Sequence, residues 1–211
     1  MKNIISHYNK INFLKIYFIF IFITCALSII FTHQLIQINP YLITSNNNLQ
    51  IQNIPYAYGD LIYNLINIKQ YVSYEFGLEM YLSRLPILPL IISFLYTISK
   101  NIYFIVIIKN IILFSVFFYC AIIFTLSHNL QKKHLILLLI IFLYNPYNLI
   151  VNLNFVYADF LTGVLVPSLF LVCSSTNKNK YLISSIIIFV LYLSKTNMFF
   201  LSLSFPLFIF I

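Results

Sequence analysis

Long apolar runs separated by short polar punctuation dominate the chain. The first run, 12–31, follows Lys2 and Lys10 and takes in Lys15. About 20 apolar residues of helix cross a hydrocarbon core, so this run predicts a membrane span. It is long and aromatic, and no small-x-small cleavage pattern follows it, so it reads as retained rather than as a signal peptide. The long polar stretch 32–84 comes next, rich in Asn, Gln and Tyr. Within it Leu61, Leu65 and Ile68 recur at spacings of four and three. That pattern predicts an amphipathic helix over about 59–71, lying on the membrane surface.

The next apolar piece, 85–99, decides the topology. Its fifteen residues make about 22 Å of helix, short of a core about 30 Å thick. If it crossed, Lys132, Lys133, Lys178 and Lys180 would all fall outside, against the tendency of basic loops to stay in the cytoplasm. If it lies in the outer interface over about 85–98, every basic loop is inside. Asp60, Glu75, Glu79 and Asp159, which are all the acids of the chain, are then outside. The expected fold class is all-α. It is a polytopic bundle of about five to six spans, at about 12–31, 102–126, 135–151, 160–174, 181–194 and 197–211. A long first outer loop, 32–100, carries the interfacial helices, and the whole of 1–211 forms one membrane domain. The last run ends without a polar cap, which suggests a chain truncated at its C-terminus.

Composition agrees with this pattern. Hydrophobic residues make up 62% of the chain and charged residues 8%, against about 25% charged in soluble domains; mean hydropathy is +0.96. The net charge of +8 invites a nucleic-acid reading. However, the cations stand in ones and twos between apolar runs and form no basic stripe, so nucleic acid is not an expected partner. Cys25, Cys120 and Cys173 each sit inside an apolar run with no metal-ligand spacing, and read as small buried residues.

Few residues are left to carry chemistry, and an ionisable group at or in a membrane is a functional candidate by default. Asp60 opens the amphipathic segment, where it is either a helix cap or a catalytic acid. Asp159 stands between two predicted spans at the outer boundary, again as a cap or as a second carboxylate facing Asp60. Two such carboxylates suit general-base work on an acceptor, or a divalent cation held between them; both alternatives stay open. Glu75 and Glu79 read as solvated charges in a weakly patterned loop. Arg84 opens the proline-containing segment, and Lys195 marks the outer end of the 181–194 run. Lys109 lies about 12 Å inside its helix, deep enough to call for an anionic group or a water-filled cleft. Cations gathered beside two carboxylates suit a phosphate leaving group on a lipid carrier.

In order along the chain these features are a first span, an outer loop opening on Asp60 and Tyr63, and the motif 84-RLPILPL-90. A span with the early cation Lys109 follows, then a basic inner loop, the acid in 157-YADFL-161, and 194-SKT-196. This order resembles the N-terminal half of the GT-C membrane glycosyltransferases, nearest the family of aminoarabinose transferases and protein O-mannosyltransferases. The resemblance covers about 12–205. It implies transfer of a sugar from a polyprenyl-phosphate donor to an acceptor on the outer face of a membrane, expected to be a bacterial plasma membrane; the basic flank of the first span places the N-terminus in the cytoplasm. It also implies Asp60 and Asp159 as the catalytic acids, with Arg84, Lys109, Lys195 and Tyr63 meeting the substrate. The alternative expectation is a non-enzymatic multi-span protein, such as a transporter, flippase or scaffold subunit, or an inactive fragment.

Overall fold

The computed structural model describes residues 2–44, 46–54, 58–75, 78–81, 86–144 and 159–194, with backbone alone for 2–12, 52, 73–75, 78–81 and 159–160. Helix is the dominant structure. The first helix, α1 (Lys2–Ile38), is longer than the expected span, running seven residues past 31. Its polar extension stays helical because side chains bond along their own helix: Thr32 Oγ1 donates to the Ser28 carbonyl at 2.6 Å, and Gln37 Nε2 meets His33 Nε2 at 3.2 Å. The stop is Pro40, which pushes Asn39 out of the helical region to φ −129°, ψ 73°. Two short 3-10 turns follow, Pro40–Leu42 and Ile51–Asn53.

Helix α2 (Tyr58–Asn67) begins one residue before the surface helix expected from periodicity and ends four residues sooner. Its buried face is Tyr58, Leu61 and Ile62, whereas Ile68 is exposed. The reason is that Lys69 adopts φ 63° and turns the chain, leaving Ile68 beyond the last helical residue. Asn64 Nδ2 donates to the Val72 carbonyl at 2.8 Å, fastening α2 to an antiparallel hairpin of β1 (Val72–Glu75) and β2 (Leu78–Tyr81). The hairpin corrects the expectation of a weakly patterned loop around Glu75 and Glu79. Tyr74 pairs with Glu79 and Glu75 with Leu78; Val72 and Tyr74 on one arm and Tyr81 on the other favour pairing over loop.

Four more apolar helices and one interfacial candidate complete the described residues: α3 (Ile87–Ile98), α4 (Ile102–Ser127), α5 (Lys132–Leu143), α6 (Asp159–Cys173) and α7 (Lys180–Tyr192). Asn101 starts α4, its side-chain oxygen accepting from the Tyr103 and Phe104 N–H groups at 2.9 and 3.3 Å. The expected span at 197–211 lies outside the described residues, as does 145–151 of the one at 135–151.

Side-chain pairs give the directions. Tyr17 with Ser115, Ser28 with Asn110, and His33 with Tyr103 make α1 antiparallel to α4. Cys120 with Ser168, Ser127 with Thr176, and His128 with Ser174 make α4 and α6 parallel, at an offset of 46–49 residues. The short connection 174–179 returns α7 against α6. Lys132 Nζ lies 5.9 Å from the Phe13 ring centroid, which puts the early part of α1 and the start of α5 at one end. Lys15, Lys132, Lys133, Lys178 and Lys180 therefore share that end. Asp60, the hairpin and the start of α6 at Asp159 lie at the other.

Helix α3 is placed by its two ends. Its first residue, Ile87, donates its N–H to the carbonyl of Leu193, just past α7, at 3.4 Å; just past its last turn, the Lys100 carbonyl accepts from the Leu49 N–H at 2.8 Å. The end of α7 and the start of α4 lie at the same end of the helix group. Helix α3 begins at one and finishes at the other, so it lies across that end without running the length of the group.

The core is aromatic and aliphatic: Phe20, Phe114, Phe117, Phe118 and Phe142 pack with Leu161, Leu165 and Leu169. The outer faces are apolar too. Phe18 and Phe22 of α1, Ile141 of α5, and Leu182 and Phe189 of α7 are all more than half exposed, an area that water does not favour on a monomer. Among the described residues, two helical stretches, Phe13–Ile38 and Ile102–Ser127, are long and apolar enough to cross a bilayer.

Candidate functional site

The end of the helix group that carries α2 and α3 holds Asp60, Tyr63 and the start of α6 at Asp159. Asp60 is in the first turn of α2, where a carboxylate interacts favourably with the helix dipole. It is partly exposed, so it remains accessible to a ligand while serving the helix. Tyr63 lies one turn further on the same face and is 40% exposed. It forms part of the wall of a cavity of about 590 Å³ that lies between α2, the 44–53 loop and the end of α3. The size is ordinary for a small-molecule site.

The cavity exists because the loop is held in place by backbone bonds. Ile43 bridges Leu49, Asn48 bridges Asn101, and the Ile102 N–H donates to the Asn47 carbonyl at 3.1 Å. Asn47 takes φ 56° at the tip, a conformation Asn tolerates better than most residues. Gln50 and Asn53 side chains are joined at 2.6 Å on one wall.

Lys109 is 1% exposed and is among the largest fully buried side chains of the described residues. It lies in α4 on the same face as Cys120, which bonds Ser168 of α6. By the α4–α6 offset, the start of α6 at Asp159 falls level with 110–113 of α4, the turn that follows Lys109. Lys109 and the head of α6 are therefore at one depth. Asp159 is the first residue of α6; its side chain lies outside the described residues. Thr162, one turn on, is buried.

Arg84 and Lys195 lie outside the described residues. The segments leading to them do not: the Ile87–Leu193 hydrogen bond joins the chain three residues after Arg84 to the chain two residues before Lys195. The chain order alone gave no sign of that juncture.

A polar seam was not foreseen either. Thr24, Ser28 and Thr32 of α1 are buried at spacings of four, each hydroxyl donating to the carbonyl one turn back. Ser28 Oγ also accepts from Asn110 Nδ2 at 2.7 Å. The available signal was the four-residue repeat of hydroxyls in α1 opposite the adjacent polar pair Lys109-Asn110 in α4. As for a divalent cation, no group of three or more His, Cys, Asp or Glu converges among the described residues; Asp60 and Asp159 would be its ligands here.

Compared with known proteins, the chain gives no significant match to any family model, curated protein or solved structure.

Proposed function

We propose that the chain is a multi-pass membrane glycosyltransferase, or the N-terminal part of one. In this reading it transfers a sugar from a polyprenyl-phosphate donor to an acceptor on the outer face of a bacterial plasma membrane, with its N-terminus in the cytoplasm. It has about five to six spans, with α2 and α3 resting in the outer interface. One observation carries the reading: α3 lies across one end of the helix group, so that end collects Asp60, Tyr63, the head of α6 and the segments leading to Arg84 and Lys195. The lysine-rich end lies opposite, as the positive-inside rule asks of the cytoplasmic face.

In the transfer, the acceptor oxygen attacks the anomeric carbon of the donor. The bond from that carbon to the phosphate oxygen breaks, and its electron pair leaves with the polyprenyl phosphate. Asp60 or Asp159 takes the proton from the acceptor hydroxyl. Arg84, Lys109 and Lys195 balance the charge that grows on the departing phosphate.

The test is sugar transfer from a polyprenyl-phosphate donor in membranes containing the full chain. Asp60→Asn and Asp159→Asn are each expected to reduce transfer at least about 100-fold, the range of a lost general base, with membrane insertion unchanged. Full activity in both variants refutes the mechanism.

The buried Lys109, Asn110 and Ser28 favour a second reading, a transporter or flippase, since polar groups deep in a bundle also mark solute paths. Lipid or solute movement in proteoliposomes that survives Asp60→Asn but is lost in Lys109→Met supports that reading instead.

A further inference from the structure

The cavity beside Tyr63 is lined by groups unlike the rest of the molecule. Asn48, Gln50, Asn53 and Asn67 bring four carboxamides, Tyr63 and Tyr96 bring two phenol rings, and Lys100 brings the cation of its wall. No carboxylate contributes to it. In a chain that is 62% hydrophobic, this density of neutral groups that both donate and accept is a local exception. Part of the set is committed to the protein: Asn53 Nδ2 donates to Gln50 Oε1 and to the Tyr41 carbonyl, and Asn67 Nδ2 to the Tyr63 carbonyl. The side chains of Thr44, Asn48, Tyr63, Tyr96 and Lys100 make no hydrogen bond to other described residues.

We propose that this cavity binds a saccharide and is the acceptor subsite of the transfer, an inference that rests on the transferase reading. The chemistry selects the class. Vicinal hydroxyls each donate and accept, and carboxamides and phenols answer both functions. The C–H face of a sugar ring is apolar and lies on an aromatic ring, which Tyr63 and Tyr96 supply. A phosphate or a polyanion calls for clustered cations and bidentate donors; the wall holds Lys100 and no arginine. The cavity, about 590 Å³, has room for more than one sugar ring. Position fits as well: Asp60 sits one helical turn before Tyr63 on the same face of α2, so a hydroxyl of the bound sugar reaches out of the cavity towards it. The loop wall is preorganised by its backbone bonds to Lys100, Asn101 and Ile102, which lowers the ordering cost of binding.

The test uses the full chain in lipid nanodiscs and saturation-transfer NMR with maltotriose, chitotriose and mannotriose as probes. A second arm presents the same headgroups as glycolipids in the disc; binding of the free sugar or of the lipid form supports the subsite and tells which source it uses. At least one probe is expected to receive saturation, and Asn48→Ala and Tyr96→Phe are each expected to weaken it about tenfold, the scale of a lost hydrogen bond in a ligand site. Tyr96→Phe keeps the ring, and the bridge from Asn48 is a backbone one, so both variants retain the fold. Absence of saturation in every probe, equal binding in both variants, or binding of inorganic phosphate in place of sugar overturns the inference. Transfer activity separates the two claims. Binding without transfer defeats the transferase reading and leaves the saccharide site standing; transfer without binding defeats the subsite alone.

Discussion

The hydrogen bond between Ser28 and Asn110 is a clamp between two apolar helices, and its strength can be worked out in advance. Asn110 Nδ2 donates to Ser28 Oγ at 2.7 Å, and Ser28 Oγ donates in turn to the Thr24 carbonyl at 2.7 Å. Both residues are at most 3% exposed, so water cannot replace a partner that is removed. Ser28→Ala takes away the acceptor and leaves a buried amide N–H, which costs about 1–3 kcal/mol in a protein interior. Bonds between membrane helices are weaker on average, about 0.6 kcal/mol with a maximum near 1.7, because the unfolded chain in lipid also finds partners. The expected coupling is therefore about 1 kcal/mol. Asn110 makes other contacts as well, so Asn110→Leu alone costs more than the coupling. A double-mutant cycle isolates the shared term: Ser28→Ala, Asn110→Leu and the pair, each unfolded in bicelles by steric trapping. Ser28→Ala is expected to cost about 1 kcal/mol less in the Asn110→Leu background than in the natural chain. Costs that add to within about 0.3 kcal/mol refute the clamp.

Two predictions concern local geometry. Asn101→Ala removes the oxygen that caps α4 through Tyr103 and Phe104 and is expected to lower stability by about 1 kcal/mol; an unchanged thermal midpoint contradicts this. Lys69 sits at φ 63°, where a side chain with a Cβ is strained by about 1–2 kcal/mol, so Lys69→Gly is expected to stabilise. Part of that gain is offset by the greater freedom of glycine when unfolded, which leaves about 0.5–1 kcal/mol, readable in the same unfolding assay.

Much of the helical arrangement was legible because it rests on period and length. The 102–126 run corresponds to the helix α4, and the shorter 85–99 run to the shorter helix α3. Positions fixed by contacts between distant segments were not legible. The hairpin at Val72–Tyr81 has only four paired residues a side, too few for alternation to stand out from the surrounding polar stretch. The extension of α1 to Ile38 depends on hydroxyl and amide bonds within a polar sequence that reads as loop. For the site, Asp60 and Tyr63 share a helix face, so their adjacency follows from spacing alone. The cavity wall does not: it arises where the 44–53 loop bonds to the chain at Lys100–Ile102, some fifty residues later. The same holds for the joining of Ile87 to Leu193.

The account stands on which side of the membrane each end of the helix group faces. With Cys25, Cys120 and Cys173 replaced by serine or alanine, single cysteines at Lys133 and at Lys100 can be probed in intact cells with a membrane-impermeant maleimide. Labelling at 100, with protection at 133 until the cells are opened, is the predicted result. Labelling at 133 from outside would mean that α3 crosses the bilayer, and it would separate Asp60 from Asp159.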